Sequence, residues 1–205
     1  MALLSDSEQR KVAETIQRIE RETDAELVTV LAAQADDYAY IPLLWAGILA
    51  LVVPGAINYF PGWWDATTLL LVQWATFVVA ALVCRRPAVT TRLIPRRVRH
   101  WRAANLARRQ FLEQNLHHTE AGTGMLIFVS EAERYVEILV DRGISERLGD
   151  DTWQDIVADF THHVRQGQTA QGFVECIESC GKHLQRELPA THLRNELPNR
   201  LVILD

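Results

Sequence analysis

Three aspartates stand in one twelve-residue stretch, VDRGISERLGDD (residues 140–151): Asp141, Asp150 and Asp151. Carboxylates on one loop suit a hard cation, Ca²⁺ or Mg²⁺, bound through oxygen. A metal held there would orient a phosphoryl group. Asp141 closes a strand-like run, Gly143 permits a tight turn after it, and Asp150 and Asp151 precede a helical pattern. Strand ends that face helix starts are where α/β folds usually place ligands. The same residues also fit a purely structural role. Asp150 or Asp151 would cap the helix, and Asp141 would pair with Arg142 or accept turn N–H groups. Residue types alone leave both readings open, and no catalytic residue is assigned.

Other chemistry-bearing residues form no recognisable constellation. The chain lacks G-x-S-x-G, H-E-x-x-H, a P-loop and G-x-G-x-x-G. The pairs His117-His118 and His162-His163 are adjacent on predicted helices, where neighbouring side chains diverge by about 100°. Solvated or capping roles suit them better than a shared metal. Cys84, Cys176 and Cys180 make no disulfide framework. Cys176, Cys180 and His183 would be a metal site short of one ligand, so the two helical cysteines read as small core residues.

The elements that must position these groups follow from pattern. Ser5 and Glu8 have capping-box spacing at the start of a helix whose inner stripe is Val12, Ile16 and Ile19, ending near Thr23. AELVTVLAA (25–33) reads as a buried strand. Pro95 opens a long helix to about His118, with Trp101, Ala104, Ala107 and Phe111 on its apolar side. GMLIFVS (124–130) is a central strand, and YVEILVD (135–141) pairs antiparallel to it. RGISERLGDD reads as a loop. Trp153, Ile156, Val157, Phe160 and Val164 mark one amphipathic helix. Phe173, Ile177, Cys180, Leu184 and Leu188 mark another. The tail ends in a short edge strand. The fold class is α/β, a small mixed sheet packed with helices, with the first strand joining the later ones.

Between that first strand and the rest lies a different kind of sequence. No Asp, Glu, Lys, Arg or His occurs from Tyr38 to Trp64, nor from Ala66 to Cys84. At about 1.5 Å per residue, segments 40–60 and 67–84 each reach the roughly 30 Å of a bilayer's hydrocarbon layer. The connection PGWWDA places Trp63 and Trp64 at headgroup level. This predicts a transmembrane hairpin inserted in the α/β domain. The segments lack the polar stripe of a soluble helix, and the run begins too far into the chain for a signal peptide.

The charge distribution fits that plan. Nine arginines and no acid occupy residues 85–109, in a chain of net charge −5. Arg85 and Arg86 directly follow the second span and act as topology signals. They place both termini and the α/β domain in the cytoplasm, with the tryptophan-bearing tip outside. The other arginines suit anionic headgroups. Nucleic-acid recognition, the alternative for such a block, lacks a matching fold and stacking aromatics beyond Trp101.

Residues 4–33, together with FLEQNLHHTEAGTGMLIFVSEAERYVEILVDRGISERLGDDTWQDIVADF and RQGQTAQGFVECIESCGKHLQREL, resemble the TPM domain family. The closest likeness is to its bacterial membrane form, with spans after the first strand and an NELP tail. The resemblance implies a small α/β sandwich, often tied to a membrane. It also implies one of three activities: phosphatase, metal binding, or an accessory role in membrane protein complexes. Where family members often carry an acid after the glycine before the last helix, this chain has Gly167-Gln168. That departure weakens a metal or catalytic role for the loop. Residues 1–37 and 87–188 are expected to form the domain, 38–86 the hairpin and 189–205 a tail. The functional expectation is an accessory or binding module at the cytoplasmic face of the inner membrane. Its partners would be the bilayer and another membrane or cytoplasmic protein. The alternative is a weak metal-assisted phosphatase.

Overall fold

The computed structural model describes residues 3–38, 40–59, 65–84, 86, 94–119, 121–191 and 201–204. The chain divides into two compact units, Met1–Ala35 with His100–Asp205, and Asp36–Arg99.

The first unit is a four-stranded mixed sheet with helices on both faces. In chain order it contains α1 (Asp6–Glu20), β1 (Glu26–Ala32), most of α4 (Arg96–Glu113), a 3₁₀ turn (Leu116–His118), β2 (Gly124–Ser130) and β3 (Tyr135–Val140). A short α5 (Arg142–Ser145), α6 (Asp151–Arg165), α7 (Thr169–Glu187) and β4 (Leu201–Leu204) complete it. The strand order is β3-β2-β1-β4. β1 runs parallel to β2, with Glu26 opposite Gly124 and Ala32 opposite Ser130. It is also parallel to β4, while β2 and β3 are antiparallel. The first strand therefore lies inside a sheet whose other strands all come later in sequence. Every residue of β1 and β2 is buried, as their continuous apolar runs require of strands covered on both faces.

Alternation assigns the two faces. Leu27, Leu31, Met125, Ile127 and Val129 pack with Val12, Ile16 and Ile19 of α1 and with Phe160, Phe173, Ile177 and Leu184 of α6 and α7. Val28, Val30, Ala32, Leu126 and Phe128 pack with Ala103 and Ala107 of α4 and with Leu116. The capping box forms as expected, with the Ser5 hydroxyl accepting from the Glu8 N–H and the Glu8 carboxylate accepting from the Ser5 N–H.

Two elements differ from the sequence reading. α4 buries Ala103, Ala107 and Gln110 rather than a stripe that includes Trp101. Trp101 is 57% exposed, with the Arg102 guanidinium 5.0 Å from its ring centroid. Small residues let the helix approach the sheet closely, and the bulky indole is left outside. The stretch after β3 is also not a plain loop, because Arg142–Ser145 closes one helical turn.

The second unit contains α2 (Tyr40–Tyr59) and α3 (Ala66–Cys84), packed side by side. α2 continues through Pro54. Ala46, Ala50 and Ala80 are among the few buried residues of the pair. Tyr38, Ile41 and Ile94 form a small buried cluster of their own in this unit. Both helices are long and apolar enough to cross a membrane, each with mean hydropathy 2.0 over its span window.

Candidate functional site

The Asp141 corner is built by strand direction and by close backbone approach. Asp141 follows β3, and its N–H donates to the Gly124 carbonyl at 2.8 Å. Its Oδ1 accepts from the Arg142 N–H at 2.7 Å, and its carbonyl accepts from Ile144 and Ser145. Asp141 is thus the N-cap of the α5 turn. Gly143 is needed for proximity. A Cβ there would stand 2.3 Å from the Ala121 carbonyl oxygen, and the Gly143 N–H donates to Gly122 at 2.8 Å. Gly122 itself sits at φ +65°.

The three acids meet different partners. Asp150 precedes α6 in helical conformation, and its side chain makes no capping bond. Asp151 lies in the first turn, with Oδ1 accepting from the Gln154 amide. Among the described residues no group of three or more His, Cys, Asp or Glu is placed to hold a metal ion. Asp141, Asp150 and Asp151 belong to no such group in this arrangement.

Topology explains part of this outcome. Because β3 is antiparallel to β2, its carboxyl end lies beside the start of β2. Asp141 thus sits at the amino edge of the parallel strands. The ligand rule for α/β sheets concerns their carboxyl edge. That edge holds residues the sequence reading treated as a turn. Glu133 is 4% exposed. Its carboxylate accepts from the Ser130 hydroxyl and from the Ala35 N–H, tying the end of β2 to the segment after β1. Glu131 accepts from the Thr169 hydroxyl at 2.9 Å, joining the same edge to the start of α7. These acids act as clamps on backbone and hydroxyl groups. Nothing in the string EAER separates such acids from solvated turn residues.

A further acid, half-buried, was missed. Glu20, at the end of α1, accepts from the Leu27 N–H at 2.9 Å through one carboxylate oxygen, while the other is buried without a partner. Burial pushes its pKa up to about 8, partly countered by the Leu27 bond and reinforced by nearby Glu26. On β3, burial likewise raises Glu137, although a Tyr135 hydrogen bond and the Arg108 charge pull it back.

The remaining candidates resolve simply. His117 and His118 lie on the 3₁₀ turn with ring centroids 4.0 Å apart, both exposed. His163 bonds the Asp159 carbonyl and faces Glu175 at 3.3 Å across α6 and α7. Cys176 and Cys180 are free and buried in the core, as the sequence reading expected. Trp63, Trp64 and Arg85 lie outside the described residues, and Arg86 is exposed.

The most distinctive surface is that of α2 and α3. Leu51, Leu71, Trp74 and Leu82 are each about two-thirds exposed. Only 22% and 11% of the two span windows are buried. A core helix of a soluble domain would be mostly covered. Exposed apolar surface on this scale marks an interaction with lipid or protein.

The fold thus defines an α/β protein with a mixed four-stranded sheet and a separate pair of apolar helices. Residues 90–183, a little under half of the chain, match the family model described as TPM domain. The chain is also similar in fold to the NMR structure of BA42 protein from the psychrophilic bacteria Bizionia argentinensis sp. nov. The TM-score is 0.60 at 18% identity, covering 98% of this chain and 94% of that one. No curated protein matches the chain significantly.

Proposed function

We propose that this chain is a membrane-anchored TPM-domain protein whose α/β unit serves as an accessory or binding module at the cytoplasmic face of the inner membrane. The observation that carries the reading is the surface of α2 and α3, two uncharged helices of 20 and 19 residues that leave most of their apolar side chains exposed. Water would penalise that surface at roughly 25 cal/mol per Å², whereas lipid tails would not. Arginines after the second helix favour a cytoplasmic placement of the domain. Asp141 serves as a cap and Glu131 and Glu133 as clamps, which suits a module that presents a surface.

Membrane fractionation tests the anchor. The full-length protein is expected to stay in the pellet after alkaline carbonate and to enter the soluble fraction only with detergent. Orientation is tested separately. Cytoplasmic reporters fused at either terminus should be active, as should a periplasmic reporter inserted at residues 61–65. The reverse pattern would overturn the topology.

The alternative, phosphatase chemistry, rests on the family resemblance and the Asp141 corner. It predicts phosphate release that falls at least tenfold in Asp141→Ala while the fold is retained.

A further inference from the structure

A carboxamide interrupts the apolar run of α3. Gln73 is the eighth residue of α3, about 10 Å along its axis, and so well inside the apolar segment. It lines a groove of about 610 Å³ between α2 and α3, together with Leu43, Gly47, Leu51, Trp74 and Phe77. The Gln73 amide makes no hydrogen bond. Opposite it the groove is open, since a Cβ added at Gly47 would meet nothing within 4 Å.

From these observations we infer that the groove is the contact between two copies of this chain, closed by reciprocal hydrogen bonds between their Gln73 amides. The inference rests on the membrane-anchored reading above. In hydrocarbon an unpaired amide is costly, and lipid tails offer it nothing. A carboxamide carries both a donor and an acceptor, so a second carboxamide is its complement. Two copies inserted with the same topology are related by an axis along the membrane normal. That symmetry sets Gln73 of each copy at the same depth, with no further requirement on sequence. Interhelical contacts in membranes combine small residues that allow close approach with polar side chains that bond across the interface. Gly47 and Gln73 supply one of each, on opposite walls of one groove.

Cysteine cross-linking of the full-length protein in native membranes tests the inference. Ile48→Cys lies in the groove, and Leu71→Cys is an exposed control two residues from Gln73 and outside the groove lining. The expected result is a disulfide-linked dimer at position 48 and little at 71. Adding Gln73→Leu should cut the position-48 dimer about threefold to fivefold, with partial recovery in Gln73→Asn. Equal cross-linking at 48 and 71, a position-48 dimer indifferent to Gln73→Leu, or a cross-link to a different protein would each overturn it. Carbonate extraction of the same samples separates the two claims. Protein that stays embedded yet forms no dimer refutes the groove contact alone, whereas protein released by carbonate refutes the anchor and the contact together.

Discussion

Strands β1 and β2 bury every residue, whereas α2 and α3, at least as apolar, leave Leu51, Leu71, Trp74 and Leu82 open. In the α/β unit, apolar side chains face one another across two sheet faces, and acids at the sheet edges have bonding partners. In the helix pair the buried residues include Ala46, Ala50 and Ala80, while many large side chains stay exposed. The difference fits the proposed reading, in which water solvates one unit and lipid the other. A domain that meets water must turn its large apolar groups inward. A unit that meets hydrocarbon gains little by doing so, and packs on small residues instead.

Truncation gives the widest separation between the two units. Phe128→Ala removes a fully buried ring and is expected to cost about 3–5 kcal/mol in denaturant unfolding of the α/β unit. Leu71→Ala, in the exposed surface of α3, should change that midpoint little. Equal losses would erase the contrast. A charge tests the same surface from the other side. Leu71→Arg should disfavour insertion by about 2.5–3.5 kcal/mol, read as a shift of protein from the pellet to the soluble fraction.

A third prediction concerns the half-buried acid of the α/β unit. Glu20 has a folded pKa of about 8, above its ordinary value of 4.5. The folded state thus holds its proton more tightly than the unfolded chain. The associated stability is complete below about pH 4.5 and is lost as pH rises through 8. Glu20→Gln keeps an acceptor for the Leu27 N–H and removes the charge. It should be more stable than the parent above pH 8, by on the order of 2 kcal/mol, with the gap closing at low pH. A pH-independent difference would show that burial does not control this group. The smallest effect is expected at a surface cap, where Ser5→Ala should lower thermal stability by about 1 kcal/mol.

Much of this contrast was legible in the sequence. The runs at 124–130 and 135–141, the Ser5–Glu8 spacing and the two uncharged segments each determine an element by local chemistry. Strand direction is not local. Nothing in YVEILVD tells which edge of the parallel strands Asp141 will reach, and it lies at the opposite edge from the one the ligand rule for α/β sheets concerns. Glu20 and Glu133 were illegible for a related reason. A buried acid is tolerable because of backbone groups brought from elsewhere, such as the Ala35 N–H 98 positions from Glu133. α4 was misjudged because its side chains were ranked by size, whereas its closeness to the sheet favours alanine.

The central position of β1 has a consequence for biogenesis. Its neighbours β2 and β4 are both made after the apolar helices, and its first partner residue emerges roughly 100 residues later. At ~5–20 residues per second, β1 waits on the order of 5–20 s with its apolar run unpaired. On the membrane-anchored reading proposed above, the ribosome is during that interval producing the two segments that enter the bilayer. A nascent chain arranged this way cannot complete its sheet first and insert afterwards. On that reading, delivery to the membrane comes before the domain closes, and β1 stays unpaired until β2 arrives.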